Sequence, residues 1–119
     1  MTASTSKSRK AKGRILQNLV REILVDLGIP EVDVLSTPMG LAGCDILLSK
    51  SARELFPFGV ECKSQEAIQI WAALEQCEEN ARKEALIPAL VFKRARTHPW
   101  VAIPLGDFVQ MVKDQRKNS

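Results

Sequence analysis

Residues 43–65 read GCDILLSKSARELFPFGVECKSQ, and the fold is read outward from them. The segment holds two β-like runs, 44–48 and 59–63, joined by a connector that contains Ser49, Lys50, Ser51, Phe56 and Pro57. Side chains alternate across a strand, so Glu61 and Lys63 share one face while Val60 and Cys62 take the other. If the two runs are neighbours, Asp45 at the head of the first converges on Glu61, with the Lys63 ammonium beside both. A glycine-rich approach (Pro38, Gly40, Gly43) leads into Asp45, and Glu61 and Lys63 interrupt an otherwise apolar strand. Charges there need a reason. A cross-strand ion pair is one; a divalent cation with a water nucleophile is another.

Working toward the N-terminus, residues 31–37 alternate through Val32 and Val34 and read as a strand. Before them, Ile15, Leu16, Leu19, Val20, Ile23, Leu24 and Leu27 recur at helical spacing and predict a buried amphipathic helix from Gly13. Gly28 and Pro30 stop it. Gln17 lies at one edge of its apolar face and Glu22 at the other. The first fourteen residues carry Lys7, Arg9, Lys10, Lys12 and Arg14 with no acid, whereas residues 15–112 hold nine basic groups against thirteen acidic ones. Residues 1–11 are expected to form a flexible basic arm, either docking on phosphates with counterion release or simply solubilising the chain.

Working toward the C-terminus, residues 65–85 lack Gly and Pro and predict a second helix, its stripe Ala67, Ile70, Trp71, Leu74, Cys77 and Ala81 facing the core. Gln65, Gln69, Gln76 and Asn80 fall within one arc. Such amides suit phosphate, sugar or base edges, or an ordinary solvated face. Residues 88–94 and 100–103 read as strands four and five, with the basic loop Lys93, Arg94, Arg96 between them, and residues 105–112 as a closing helix. Three short strands in succession predict an antiparallel meander. The element order gives an α/β fold, a mixed sheet flanked by helices. One domain, 12–113, carries it, with a basic tail at 114–119.

Composition narrows the chemistry. A lone histidine, His98, leaves a zinc site or a histidine-based triad without support. Cys44, Cys62 and Cys77 have no metal-ligand spacing and read as small core hydrophobes in a reducing, cytoplasmic compartment. Trp71 and Trp100 are expected in the core. No apolar run approaches the length of a membrane span.

An α-β-β-β-α-β order with Asp at the second strand and Glu-x-Lys on the third resembles the PD-(D/E)xK nuclease superfamily. Residues 13–112 carry the likeness, through KGR before the first helix, GCDILL, GVECKSQ, the glutamine-bearing second helix and PALVFKRAR–PWVAI. Within it the chain is most similar to the Holliday-junction-resolvase-like, phage-encoded branch, in a bacterial host. The resemblance implies a restriction-endonuclease-like core and a Mg²⁺- or Mn²⁺-dependent endonuclease cutting branched DNA as a homodimer, with no small-molecule cofactor. It implies Asp45, Glu61 and the Cys62 carbonyl as metal ligands, Lys63 as the catalytic lysine, and Gln76 as the helix glutamine. Lys10, Lys12, Arg14, Gln69, Lys93, Arg94 and Arg96 would contact nucleic acid. Resolvase relatives place a glutamate about four residues after the glycine; here that position is Gln17, an uncharged site residue. The alternative is a nuclease-fold DNA-binding module that has lost catalysis.

Overall fold

The computed structural model describes residues 6–118. Its elements are α1 (Ser6–Asp26), a 3₁₀ turn at Glu31–Asp33, β1 (Val34–Ser36), β2 (Ile46–Leu48), α2 (Lys50–Leu55), β3 (Phe58–Ser64), α3 (Ile70–Lys83), β4 (Ile87–Lys93), β5 (Trp100–Ala102) and α4 (Leu105–Lys117). The α/β class expected from the sequence is the one observed: a mixed three-stranded sheet with helices on both faces.

The meander is not. β1 and β2 pair antiparallel as a separate ribbon, while β3 pairs parallel to β4 and β4 antiparallel to β5, in the order β3-β4-β5. The connector between β2 and β3 is the cause. It folds into α2, with the Ser49 side chain accepting the Ala52 N–H as its N-cap, so no hairpin turn remains to pair the flanking strands. A single backbone bridge, Asp45 N–H to the Val60 carbonyl at 2.8 Å, ties the head of β2 to β3.

Two layers of apolar packing enclose the sheet. On one face Leu16, Val20 and Leu24 of α1 meet Val60 and Cys62 of β3 and Ala89 of β4. On the other, Ala73 and Cys77 of α3 meet Leu90 of β4. The second contact is close: a Cβ on Gly59 would stand 2.6 Å from the Ala81 Cβ and 3.0 Å from the Cys44 Sγ. A helix this near a strand can present only small side chains, which corrects the α3 stripe. Its buried residues are Ala73, Cys77 and Ala81, and Trp71 is left 80% exposed. Trp100, on edge strand β5, is also exposed and stacks on His98. Neither tryptophan is core.

The α1 stripe is likewise only half buried, since Ile15, Ile23 and Leu27 remain exposed beside buried Leu16, Val20 and Leu24. Helix α1 also starts earlier than expected, because the Lys, Arg and Ala residues before Gly13 are good helix formers. The basic segment from Ser6 onward is thus helical, and the rest of the expected arm, residues 1–5, lies outside the described residues. At the other end α4 runs on through Lys117, taking in most of the expected tail. Helix α3 starts at Ile70, so Gln65 precedes the helix and Gln69 is its N-cap residue. Among the described residues no helix is long and apolar enough to cross a membrane.

Candidate active site

Asp45 is clamped to β3 on both sides of Glu61. Its backbone N–H reaches the Val60 carbonyl, and its carboxylate Oδ2 accepts the Cys62 N–H at 2.7 Å. The convergence expected of Asp45 and Glu61 therefore occurs through the free edge of β3, without a strand ladder. Three further bonds fix the Asp45 backbone from behind. Its carbonyl accepts the Thr37 N–H at 2.8 Å and the Gln17 side-chain amide at 3.0 Å, while the Thr37 hydroxyl donates to the Cys44 carbonyl at 2.7 Å.

A cavity of about 230 Å³ opens over this edge, lined by Arg9, Lys10, Gly13, Gln17, Met39, Asp45, Glu61, Cys62, Lys63, Ser64 and Gln65. Glu61 is buried, and its Oε2 is, among the described residues, the one buried side-chain oxygen or nitrogen with no hydrogen-bond partner. Lys63 Nζ lies 3.9 Å from the other oxygen, Oε1, too long for a tight hydrogen bond. A buried carboxylate oxygen without a donor is costly in its charged form. Burial first, and the Asp45 charge second, push Glu61 up to about 7, against smaller opposing effects of Lys63 and Asn80. Burial also raises Asp45, offset in part by the Cys62 N–H and then by Lys63.

Two desolvated carboxylates, the Asp45 charge raising Glu61 and one Glu61 oxygen orphaned, offer oxygen donors of the kind a hard cation takes. Cys62 lines the same cavity. Among the described residues no third Asp, Glu, His or Cys joins them in a metal-sized cluster. Gln17, where the resemblance leads one to expect a glutamate, lines the cavity and has its amide nitrogen engaged behind it. Its amide nitrogen faces two carbonyls, Asp45 at 3.0 Å and Thr37 at 3.4 Å, which fixes the orientation of the group. Glu22 is exposed and does not line the cavity.

Gln69 and Gln76 do not enter this cavity. They line a neighbouring one of about 140 Å³ that shares Lys63 and Gln65 with it. Asn80 of α3 donates to the Gly43 carbonyl at 3.4 Å and is close enough to Glu61 to lower its pKa. Because β3 and β4 run parallel in register, with Lys63 opposite Phe92 and Ser64 opposite Lys93, their C-terminal ends open on the same side of the sheet. That register brings the basic loop to the site. A groove of about 310 Å³ between α1 and this loop contains Lys12 and Lys93, and the next, of about 420 Å³, contains Lys93 and Arg94. Ser64 and Gln65 are common to the first of these and the Asp45–Glu61 cavity. Arg14 and Arg96 are exposed and line none of these cavities; Arg96 sits in the left-handed region at φ 68°.

Arg9 is a cavity residue that the sequence reading passed over. Its signal was present: Arg9, Gly13 and Gln17 recur every four residues, one helical face, but only if the basic segment is taken as helix. The three thiols are buried and free, as expected. Burial pushes Cys77 up to about 11 and Cys44 to about 12, and Cys62 higher still, so none offers a thiolate near neutrality.

Comparison with curated proteins, and with solved structures, finds no match. A family model described as "Phage putative PDDEXK endonuclease" matches residues 31–119. That span contains Asp45, Glu61, Cys62 and Lys63 with the parallel β3-α3-β4 unit, and it leaves α1, with Gln17, outside. The chain belongs to this family of phage PDDEXK endonucleases.

Proposed function

We propose that the protein is a divalent-metal-dependent DNA endonuclease, acting on branched or otherwise structured DNA as a homodimer. The observation that carries the reading is the orphaned Glu61 oxygen, buried beside the Asp45 carboxylate in a cavity edged by cations. Asp45, Glu61 and the Cys62 carbonyl would hold Mg²⁺ or Mn²⁺, which when bound supplies a water of lowered pKa and neutralises charge on the scissile phosphate.

The chain's own groups do the positioning. Lys63 lies on the same strand face as Glu61 and half-buried, so its ammonium is directed into the cavity, where it donates to a phosphate oxygen or orients the attacking water. Asp45 keeps Oδ1 for the cation because Oδ2 is engaged by the Cys62 N–H. Gln17 acts through Asp45, holding its carbonyl and hence the head of β2. Gln76 and Gln69, beyond Lys63, face the path of the strand and offer amide contacts to the backbone. Lys10, Lys12, Lys93 and Arg94, along the three connected cavities, bind flanking phosphates, with Arg14 and Arg96 as outlying cations.

The test is incubation with a four-way junction, a flap and a linear duplex in Mg²⁺ or Mn²⁺. Expected is cleavage, fastest on the branched substrates, falling at least about a hundredfold in Asp45→Asn and in Lys63→Ala. Cleavage of none, or cleavage indifferent to both substitutions, removes the reading.

The second reading, a nuclease-fold binding module without catalysis, is favoured by Gln17 standing where a carboxylate is expected. It requires salt-sensitive DNA binding that is indifferent to metal. A calorimetric titration decides between the two: one Mn²⁺ site, lost in Glu61→Ala, counts for the nuclease.

A further inference from the structure

Helix α4 is thirteen residues long and buries none of them. Leu105, Phe108, Val109 and Val112 repeat at i, i+3, i+4 and i+7, one continuous apolar stripe, yet they are 76%, 52%, 42% and 40% exposed. A helix of this length is marginal by itself in water. One contact between it and the domain is polar and near its start, Arg82 to Asp107 at 3.5 Å. Its last turns carry Lys113 and Lys117.

The same chain carries a surface of opposite character. Trp71, Leu74, Glu75 and Glu78 of α3, with Ile103 and Pro104 leading into α4, line an apolar groove of about 510 Å³ with an acidic rim. Trp71 at one end is 80% exposed. The groove is lined by no α4 residue beyond its N-cap, Pro104, so the helix does not fill the groove next to it.

We propose that this groove receives α4 of a second copy of the chain, reciprocally, so that each protomer lays its Leu105–Phe108–Val109–Val112 stripe over the partner's Trp71. The basic last turns of α4 then lie against the acidic rim formed by Glu75 and Glu78. The occupant is a second copy because stripe and groove, apolar to apolar and basic to acidic, are both on this chain, and a two-fold exchange uses each twice. The apolar side chains involved expose on the order of 100 Å² each, which over both protomers, together with the flanking Glu and Lys residues, is comparable with the roughly 1,200 Å² of a stable interface. Elsewhere the arrangement has physical support from Phe and Trp, which dominate interface energetics when they enter pockets. The proposal names the surface for the homodimer in the functional reading above, but it stands on association and not on cleavage.

Sedimentation velocity on the full chain over a range of concentrations tests it. Expected is a dimer whose dissociation constant rises at least about thirtyfold in Phe108→Glu. Phe108 is half exposed, and an unchanged thermal melt of the diluted variant shows that its fold is intact. A second, independent arm reverses charges: Glu75→Lys with Glu78→Lys weakens the dimer, as does Lys113→Glu with Lys117→Glu, and the four together restore it. A monomer at every concentration overturns the proposal, as does a dimer indifferent to Phe108→Glu or a charge set without restoration. A dimer that behaves as expected but cuts no DNA leaves this inference standing and removes the nuclease. Cleavage by a monomer does the reverse.

Discussion

Replacing Glu61 by Gln should stabilise the metal-free fold and abolish cleavage in the presence of metal. Glu61 has a pKa of about 7 in the fold against an ordinary 4.5. Above pH 7 the folded chain carries a buried charge that the unfolded chain carries in water, and the difference is on the order of 3 kcal/mol. The sign follows directly. The favourable contribution of the neutral side chain is fully present below about pH 4.5 and is lost as pH rises through about 7. Glutamine keeps the shape and removes both the buried charge and its repulsion with Asp45.

In EDTA at pH 8 the variant should therefore melt roughly 10 °C above the parent chain. The gap should close as pH is lowered toward 4.5, because the native Glu61 becomes neutral too. Asp45, also raised by burial, adds a slope of the same sign that both proteins retain, so the informative quantity is the difference between the two melts. A Glu61→Gln protein that melts at or below the parent at pH 8, or a gap that does not close in acid, refutes the reasoning. It would mean that the Lys63 ammonium, 3.9 Å away, outweighs burial.

Other perturbations have equally definite outcomes. Gly59→Ala should destabilise by about 1–3 kcal/mol in urea unfolding, because the new methyl meets Ala81 backbone as well as side chain. Gln17→Leu should cost about 1–3 kcal/mol, by taking one donor from the Asp45 carbonyl and one from the buried Thr37 carbonyl, and should slow cleavage without abolishing it. Lys93→Ala with Arg94→Ala should weaken DNA binding uniformly across sequences and lower the slope of log affinity against log salt by about two, measured by fluorescence anisotropy.

The elements and the acid-acid-lysine set were legible because they depend on local pattern: alternation in 59–63, helical spacing in 15–27, two charges in an apolar strand. What escaped depends on how closely layers approach. Periodicity places Trp71 and Ala73 on α3 but does not say which faces a strand at Gly59 that tolerates only small neighbours. Strand direction escaped for a similar reason. Nothing in SKSAREL separates a loose connector from a helix of six residues, except that Ser49 stands three residues before Ala52 and caps it.

That missed helix decides how the site is assembled. A β2–β3 hairpin would have satisfied the β3 edge along its length and left no opening beside Glu61. With α2 inserted, Asp45 alone reaches β3, one backbone bond before Glu61 and one side-chain bond after it. The edge thus stays open at the carboxylate whose Oε2 has no donor. The parallel return of β4 then delivers Lys93 and Arg94 to the same end of the sheet. Charge that costs stability in the fold and cations that attract a polyanion are thus set by two connections, α2 before β3 and the α3 crossover after it. A tight turn in place of residues 49–57 should close the edge beside Glu61 and leave Lys93 and Arg94 where they are.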